Sequence, residues 1–268
     1  MIKAVIVPVL SAGLEKLKNI LIERESAKNK SRGVIIFCED RLTLAAEKTV
    51  CSALGGTFDV SVNTFARFLA AEKGKKDNIL SAQGSAMAIR RIIENNKDKL
   101  KLFGKFSASS AASAVYDTIA LLYASKISAK DLKNAAADGL LESKLSDVSL
   151  IYSLYEEYLK ESGKTDRNAY LRELETVVPE SEKIRHSDVI FLGYQSFSHS
   201  LTECLKAVFA SAVGVTGIFI GGKEEIYVNE AVSAFEGIAA AYGGAQVEFA
   251  KGGLCPDAEI LRAALFDP

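Results

Sequence analysis

Two histidines, four cysteines and a net charge of −1 are few instruments for a chain of 268 residues. His186 and His199 stand apart, and no two of Cys38, Cys51, Cys204 and Cys255 form a C-x-x-C pair, so the spacing that a zinc site requires is missing. Cys38 falls in a strand-like run and Cys51 and Cys204 in helix-like runs, where cysteine acts as a small core hydrophobe; buried thiols are expected, not metal ligands or disulfides. Lys and Arg number 33 against 34 Asp and Glu, so the molecule as a whole does not attract nucleic acid or anionic membrane. Any nucleic-acid contact needs a local patch. No apolar run approaches the ~18 residues of a membrane span. The start, "MIKAVIVPV", is shorter than a secretory signal and runs straight into a helix-period segment, so a cytoplasmic location is expected.

Catalytic signatures are missing as well. No G-x-S-x-G elbow occurs, and "GYQSF" lacks the second glycine. His199, among serines in "SFSHS", reads as a solvated loop histidine and not a triad base. No G-x-G-x-x-G follows a strand, which removes support for a dinucleotide fold. Most acidic residues lie three or four positions from Lys or Arg on helix faces, the pattern of surface pairing.

What is present is 49% hydrophobic and 25% charged, the profile of a globular chain with an ample core. "IKAVIVP" and "GVIIFC" are short, apolar and β-branched, as strands buried on both faces are. Between them "LEKLKNILIERESAK" is helical, with Leu14, Leu17, Ile20 and Leu21 on one side; "RLTLAAEKTVCSALGG" is a second helix capped by Gly55, and "FDVSVNT" a third strand. Strands separated by such helices imply a parallel sheet.

From about residue 66 to 184 the strand signal vanishes. Helices are expected in "SAQGSAMAIRRIIENNKDKL", "SASSAASAVYDTIALLYASKI", "SAKDLKNAAADGL" (Ser128 and Asp131 forming a capping-box start) and "TDRNAYLRELETVV", with Thr165 or Asp166 as N-cap. In "LSDVSLIYSLYEEYLKESG", Leu145, Val148, Tyr152, Tyr155 and Leu159 form one stripe, expected as core. The α/β rhythm returns with "SDVIFLGYQSF", "SLTECLKAVFASA", "GVTGIFIGG", "NEAVSAFEGIAAAYGG" and "AQVEFAKGG", and a last helix is read in "DAEILRAALFDP". The expected fold is therefore α/β, a parallel-sheet P-loop NTPase-like domain (1–65 plus 185–268) with an all-helical subdomain (66–184) inserted. The abrupt end suggests a piece of something longer.

A nucleotide site belongs at the first strand–helix turn, but its chemistry is absent. Aligning Gly13 with the second glycine of G-x-x-x-x-G-K-[ST] puts Pro8 at the first glycine, Leu14 at the lysine and Glu15 at the magnesium hydroxyl. Pro8 has no N–H, Leu14 no charge, and Glu15 opposes an anion. The second requirement, a magnesium-holding carboxylate ending another central strand, falls on Leu192 of "DVIFL". No ATP hydrolysis by the chain itself is expected, and no cofactor or metal.

The pieces together resemble the N-terminal helicase-like region of AddB, the B subunit of the bacterial AddAB helicase–nuclease. The strongest segments are "SAQGSAMAIRRIIENNKDKLKLFGKF", "LSDVSLIYSLYEEYLKESG" and "SDVIFLGYQSFSHSLTECLKAVFASA". "DVSVNTFARFL" is similar to the family's segment ending S-F-x-R-L, and "IIFCEDRLTLAAEKTV" to its V-P-E-Q-x-T-x-Q-A-E stretch. Where the family shows G-R-x-G-S-G-K-S and D-G-F, this chain has "VPVLSAGLEK" and "LGYQSF", and the family's F-T-x-x-E glutamate falls on Leu201.

The resemblance implies a superfamily 1 helicase-like module of an ATP-dependent helicase–nuclease in double-strand break repair. An AddA-like protein would be the motor, and single-stranded or duplex-end DNA the ligand. Strand-end loops would then touch DNA: Arg41 and Thr43 after the second strand, and Thr64, Phe65 and Arg67 after the third, with Phe65 either stacking on a base or lying in the core. The segment from Arg90 to Lys105, rich in Lys and Arg, reads either as a backbone-tracking patch or as a solvated helix end. Two other readings stay open: a structural module that docks the motor without touching DNA, and a divergent nucleotide-binding enzyme using a residue such as Lys16.

Overall fold

The computed structural model describes residues 1–26, 32–74, 78–135, 138–221 and 229–250, which divide into two compact units. The first comprises residues 1–72, 175–197 and 201 onward; the second comprises 73–174 with 198–200.

The first unit is α/β, as the strand–helix alternation predicts. Its sheet contains β1 (Ile2–Val7), β2 (Gly33–Cys38), β3 (Val60–Asn63), β6 (Ser187–Leu192), β7 (Gly214–Ile220) and β8 (Gln246–Phe249), in the order β3-β2-β6-β7-β1-β8. Every pairing is parallel, with Val5 opposite Ile218, and Ile36 opposite both Val62 and Ile190. One face carries Val5, Val7, Val34, Ile36, Ile190, Leu192 and Ile218, covered by Leu17 and Leu21 of α1 (Leu10–Ser26) and Ala46 and Val50 of α2 (Thr43–Leu54). The other face is aromatic. Phe37, Phe191 and Phe219 meet Phe65 and Phe68 of α3 (Phe65–Lys73) and Phe235 of α12 (Glu230–Ala240), and Phe235 in turn meets Phe209 of α11 (His199–Ser211). Covering both faces is what lets these strands be continuously apolar.

The second unit packs α4 (Ala82–Asn95), α5 (Ala108–Ala124), α6 (Ala129–Asn134), α7 (Gly139–Ser162) and α8 (Arg167–Arg172) around one core. The Val148, Tyr152, Tyr155 and Leu159 stripe lies in that core, with Leu145 partly buried against it. Ser128 and Asp131 form the complete capping box of α6, Gly163 ends α7 in the left-handed conformation at φ 61°, and Asp166 caps α8 by accepting the Asn168 N–H at 2.7 Å. Helix α9 (Leu174–Glu180) and α10 (Glu182–Arg185) lead back to β6.

Several expectations need correction. Helix α1 begins at Leu10, not at Leu14, because the turn after β1 is only Pro8 and Val9. The third strand is shorter than "FDVSVNT", and Phe58 is fully solvent-exposed ahead of it. The helical stretch does contain strand: β4 (Ile79–Leu80) pairs with β5 (Thr165–Asp166), too short for any periodicity to betray. Cys51 is exposed, since it occupies the outer face of α2, whereas Cys38 and Cys204 are buried as expected. Cys255 and the closing helix read in 257–268 lie outside the described residues.

Candidate functional site

In a parallel sheet all strands end at one edge, and ligands settle where neighbouring strands send their connections to opposite faces. Helix α1 leaves β1 for the aliphatic face, while α12 packs on the aromatic face against β1 and β7. The gap between the ends of β1 and β7, where a phosphate loop would follow the first strand, is therefore one switch point. It is closed by backbone: the Gly221 N–H donates to the Val7 carbonyl at 2.9 Å.

A phosphate cradle needs a wide loop of converging N–H groups there. This chain supplies two residues, and one is Pro8. Gly13, the glycine aligned with the cradle, sits inside the first turn of α1, and its N–H bonds to the Val9 carbonyl at 3.2 Å. A Cβ on Gly13 would stand 3.4 Å from both the Val7 and Ile218 side chains, at ordinary contact distance, so the helix lies directly on the sheet here. Leu14 packs against the aliphatic core, and Glu15 points to solvent. Lys16 pairs with Glu248 of β8 at 2.6 Å and lines a cavity of about 320 Å³ among the strand beginnings, at the edge opposite the switch point.

Leu192 ends β6, opposite Cys38 on one side and Ile218 on the other, and is 1% exposed. It belongs to the same apolar cluster as Val7, Cys38 and Leu42, so the position that could hold a metal carboxylate is core. Gly193 follows at φ +75°, its N–H on the Ile218 carbonyl at 2.8 Å; a Cβ there would sit 2.5 Å from Leu42. Burial pushes the Cys38 thiol up to about 11 and raises the Tyr194 phenol, so both stay protonated. Among the described residues, no group of three or more His, Cys, Asp or Glu could hold a metal ion.

The five residues named for nucleic-acid contact fall into two kinds. Thr43, the first residue of α2, donates to the Asp40 carbonyl of the preceding turn at 2.9 Å, and Thr64 starts α3 by accepting the Arg67 N–H at 3.2 Å; both are buried. Phe65 is 6% exposed and stacks on Phe37 with ring centroids 4.7 Å apart and planes 14° from parallel, with Tyr194 6.0 Å away. Arg41 and Arg67 are exposed: Arg41 pairs with Glu39 at 2.6 Å and Arg67 with Glu47 at 3.4 Å. Such exposed pairs contribute about 0–1 kcal/mol, so either arginine can exchange its carboxylate for a phosphate at little cost.

Sequence reading missed Asn229. Its buried amide donates to the Tyr194 carbonyl (2.8 Å) and the Ile220 carbonyl (3.1 Å), while its Oδ1 accepts the Ala231 N–H at 2.8 Å. One side chain thus ties the loop after β6 to the end of β7 and caps α12. An Asn just ahead of an apolar helical period is an N-cap signature, so the cap was findable; the two carbonyls were not.

A parallel α/β sheet of this order is compatible with the Rossmann and P-loop-like folds, with a first turn too short for a phosphate loop. The model of the family "ADDB, N-terminal" matches residues 11–242, and the chain belongs to that family. Similar proteins, each named as the B subunit of an ATP-dependent helicase/deoxyribonuclease, include that of Listeria innocua, 31% identical over 201 residues covering 70% of this chain and 17% of that protein. That of Listeria welshimeri is 28% identical over 229 residues (78% and 19%), and that of Moorella thermoacetica 29% identical over 219 (76% and 18%). The chain thus spans under a fifth of the length of these relatives.

Proposed function

We propose that this chain is a helicase-like, non-catalytic module of an AddB-type protein in DNA double-strand break repair. It guides single-stranded DNA and scaffolds an AddA-like motor, while holding no nucleotide itself. In this reading the α/β part, 1–65 plus 185–268, is a superfamily 1 helicase-like domain with a degenerate site, and 66–184 is a helical subdomain inserted into it.

The observation that carries the reading is the two-residue turn between β1 and α1, with Gly13 already helical behind it. Buried Leu192 supports it independently, at the second place where nucleotide chemistry needs a polar group. On the same edge, Arg41 and Arg67 offer exposed guanidinium groups to backbone phosphates, and Thr43, Thr64 and Phe65 hold the loops that carry them.

Two titrations test this. Calorimetry with Mg-ATP should give no heat and no thermal shift; a saturable heat would restore the nucleotide-enzyme reading. Fluorescence anisotropy with a labelled oligothymidylate at low salt should show salt-sensitive binding that weakens in Arg41→Ala/Arg67→Ala. No binding at low salt would overturn strand guiding and leave a docking module.

A further inference from the structure

The helical unit carries a charged surface that the switch-point edge does not explain. Between Arg90 and Phe106 stand Arg90, Arg91, Lys97, Lys99, Lys101 and Lys105 against Glu94 and Asp98, in a chain whose overall charge is −1. Arg90 is matched by Glu94 at 2.9 Å. Arg91 and the four lysines are all exposed and have no ion-pair partner among the described residues.

This segment is not a loose solvated loop. Asp147 of α7, 1% exposed, accepts three consecutive backbone N–H groups from it: Lys101 at 2.9 Å, Leu102 at 2.7 Å and Phe103 at 2.9 Å. Leu100 and Phe103 pack into the helical core between the lysines. Gly104 lies so close to the Lys97 carbonyl that any Cβ would overlap it, so the two short turns, which bear Lys97, Lys99 and Lys105, pack directly on each other. Burying a carboxylate to hold four like charges in one shape runs against what stability alone favours. Such an arrangement is useful if an anion comes to it.

Beside Lys105 stands Phe106, 55% exposed and with no aromatic ring partner among the described residues. Unpaired cations beside an exposed ring are the two features that single-strand grooves combine, the cations on the backbone and the ring on a base. An acidic peptide would use the cations but has no need of the ring. Phe65, buried and stacked on Phe37, is not free to do this; Phe106 is.

We propose that the Asp147-clamped segment Lys97–Phe106, with Arg91, is a second contact for single-stranded nucleic acid, the lysines on phosphates and Phe106 stacking on a base. The inference rests on the reading of the chain as a strand-guiding module and adds a site to it.

The test is anisotropy with the full chain and a labelled oligothymidylate over a salt series. The Lys97→Gln/Lys99→Gln/Lys101→Gln/Lys105→Gln variant should lower the slope of log affinity against log salt by about 2 to 3, since each single-strand phosphate contact contributes about 0.7. Phe106→Ala, which truncates a side chain that is 55% exposed, should weaken binding about fivefold or more without changing that slope. If both variants bind like the parent while Arg41→Ala/Arg67→Ala does not, this second contact is refuted and strand guiding stands. If the parent itself does not bind, strand guiding fails. If polyglutamate of equal charge competes as well as the oligonucleotide and Phe106→Ala changes nothing, the surface is one for an acidic protein and the proposal falls.

Discussion

Placing an aspartate at residue 192 separates a degenerate nucleotide site from one that is merely hard to recognise. Leu192 is 1% exposed at the end of β6, flanked in register by Cys38 and Ile218 and packed with Val7 and Leu42. None of these side chains offers a strong donor. Removing the leucine side chain costs about 2–5 kcal/mol by comparison with core truncations. Leaving a carboxylate without a partner in the same space adds several kcal/mol more. The sum, at least about 5 kcal/mol, rivals the ~5–15 kcal/mol that holds a domain folded. Leu192→Asp should therefore lose most of its stability in urea unfolding followed by circular dichroism, and Mg-ATP should not restore it. Leu192→Met, which conserves volume, should cost under about 1.5 kcal/mol. The cost of the aspartate should shrink in acid, because its folded-state pKa lies above the unfolded ~3.9 and the neutral acid is the form the core tolerates. A variant within about 1 kcal/mol of the parent, or one stabilised by Mg-ATP, would refute the reasoning, since residue 192 would then face a hydrated site.

Two further outcomes follow from the helical unit. Asp166, wholly buried, accepts from the Tyr155 hydroxyl at 2.9 Å and the Tyr116 hydroxyl at 3.2 Å; Tyr155→Phe should cost about 1.5–3 kcal/mol in the same unfolding assay, the range for a hydrogen bond to a charged group. Burial first of all raises the Tyr116, Tyr152 and Tyr155 phenols, Tyr152 to about 12, so the fold favours their neutral forms. Their contribution is fully present below the unfolded value of ~10 and is lost as pH rises through the raised folded values, so the urea midpoint should fall as pH rises from about 10 towards 12. Replacing Tyr152 with Phe should flatten that fall, and an unchanged slope would remove the phenol as its cause.

Much was decided within a few residues of chain and was therefore legible in the sequence. The apolar runs of β1, β2, β6 and β7, the Ser128–Asp131 capping box, Gly55 as a helix end, and the Tyr152–Tyr155 stripe all depend on local period or local hydrogen bonds. So did the mismatch of Pro8, Leu14 and Glu15 to the phosphate-loop pattern, which is a matter of residue type alone. Tertiary structure alone decided the rest. The strand order, the exposure of Cys51 and the stacking of Phe65 on Phe37 depend on what packs from far away in sequence. Asp147 finds its three amides 44 to 46 residues upstream, and Asp166 its tyrosines 11 and 50 residues away. A carboxylate in a helix pattern reads as one more surface charge. Only the fold removes it from water and obliges its oxygens to find partners.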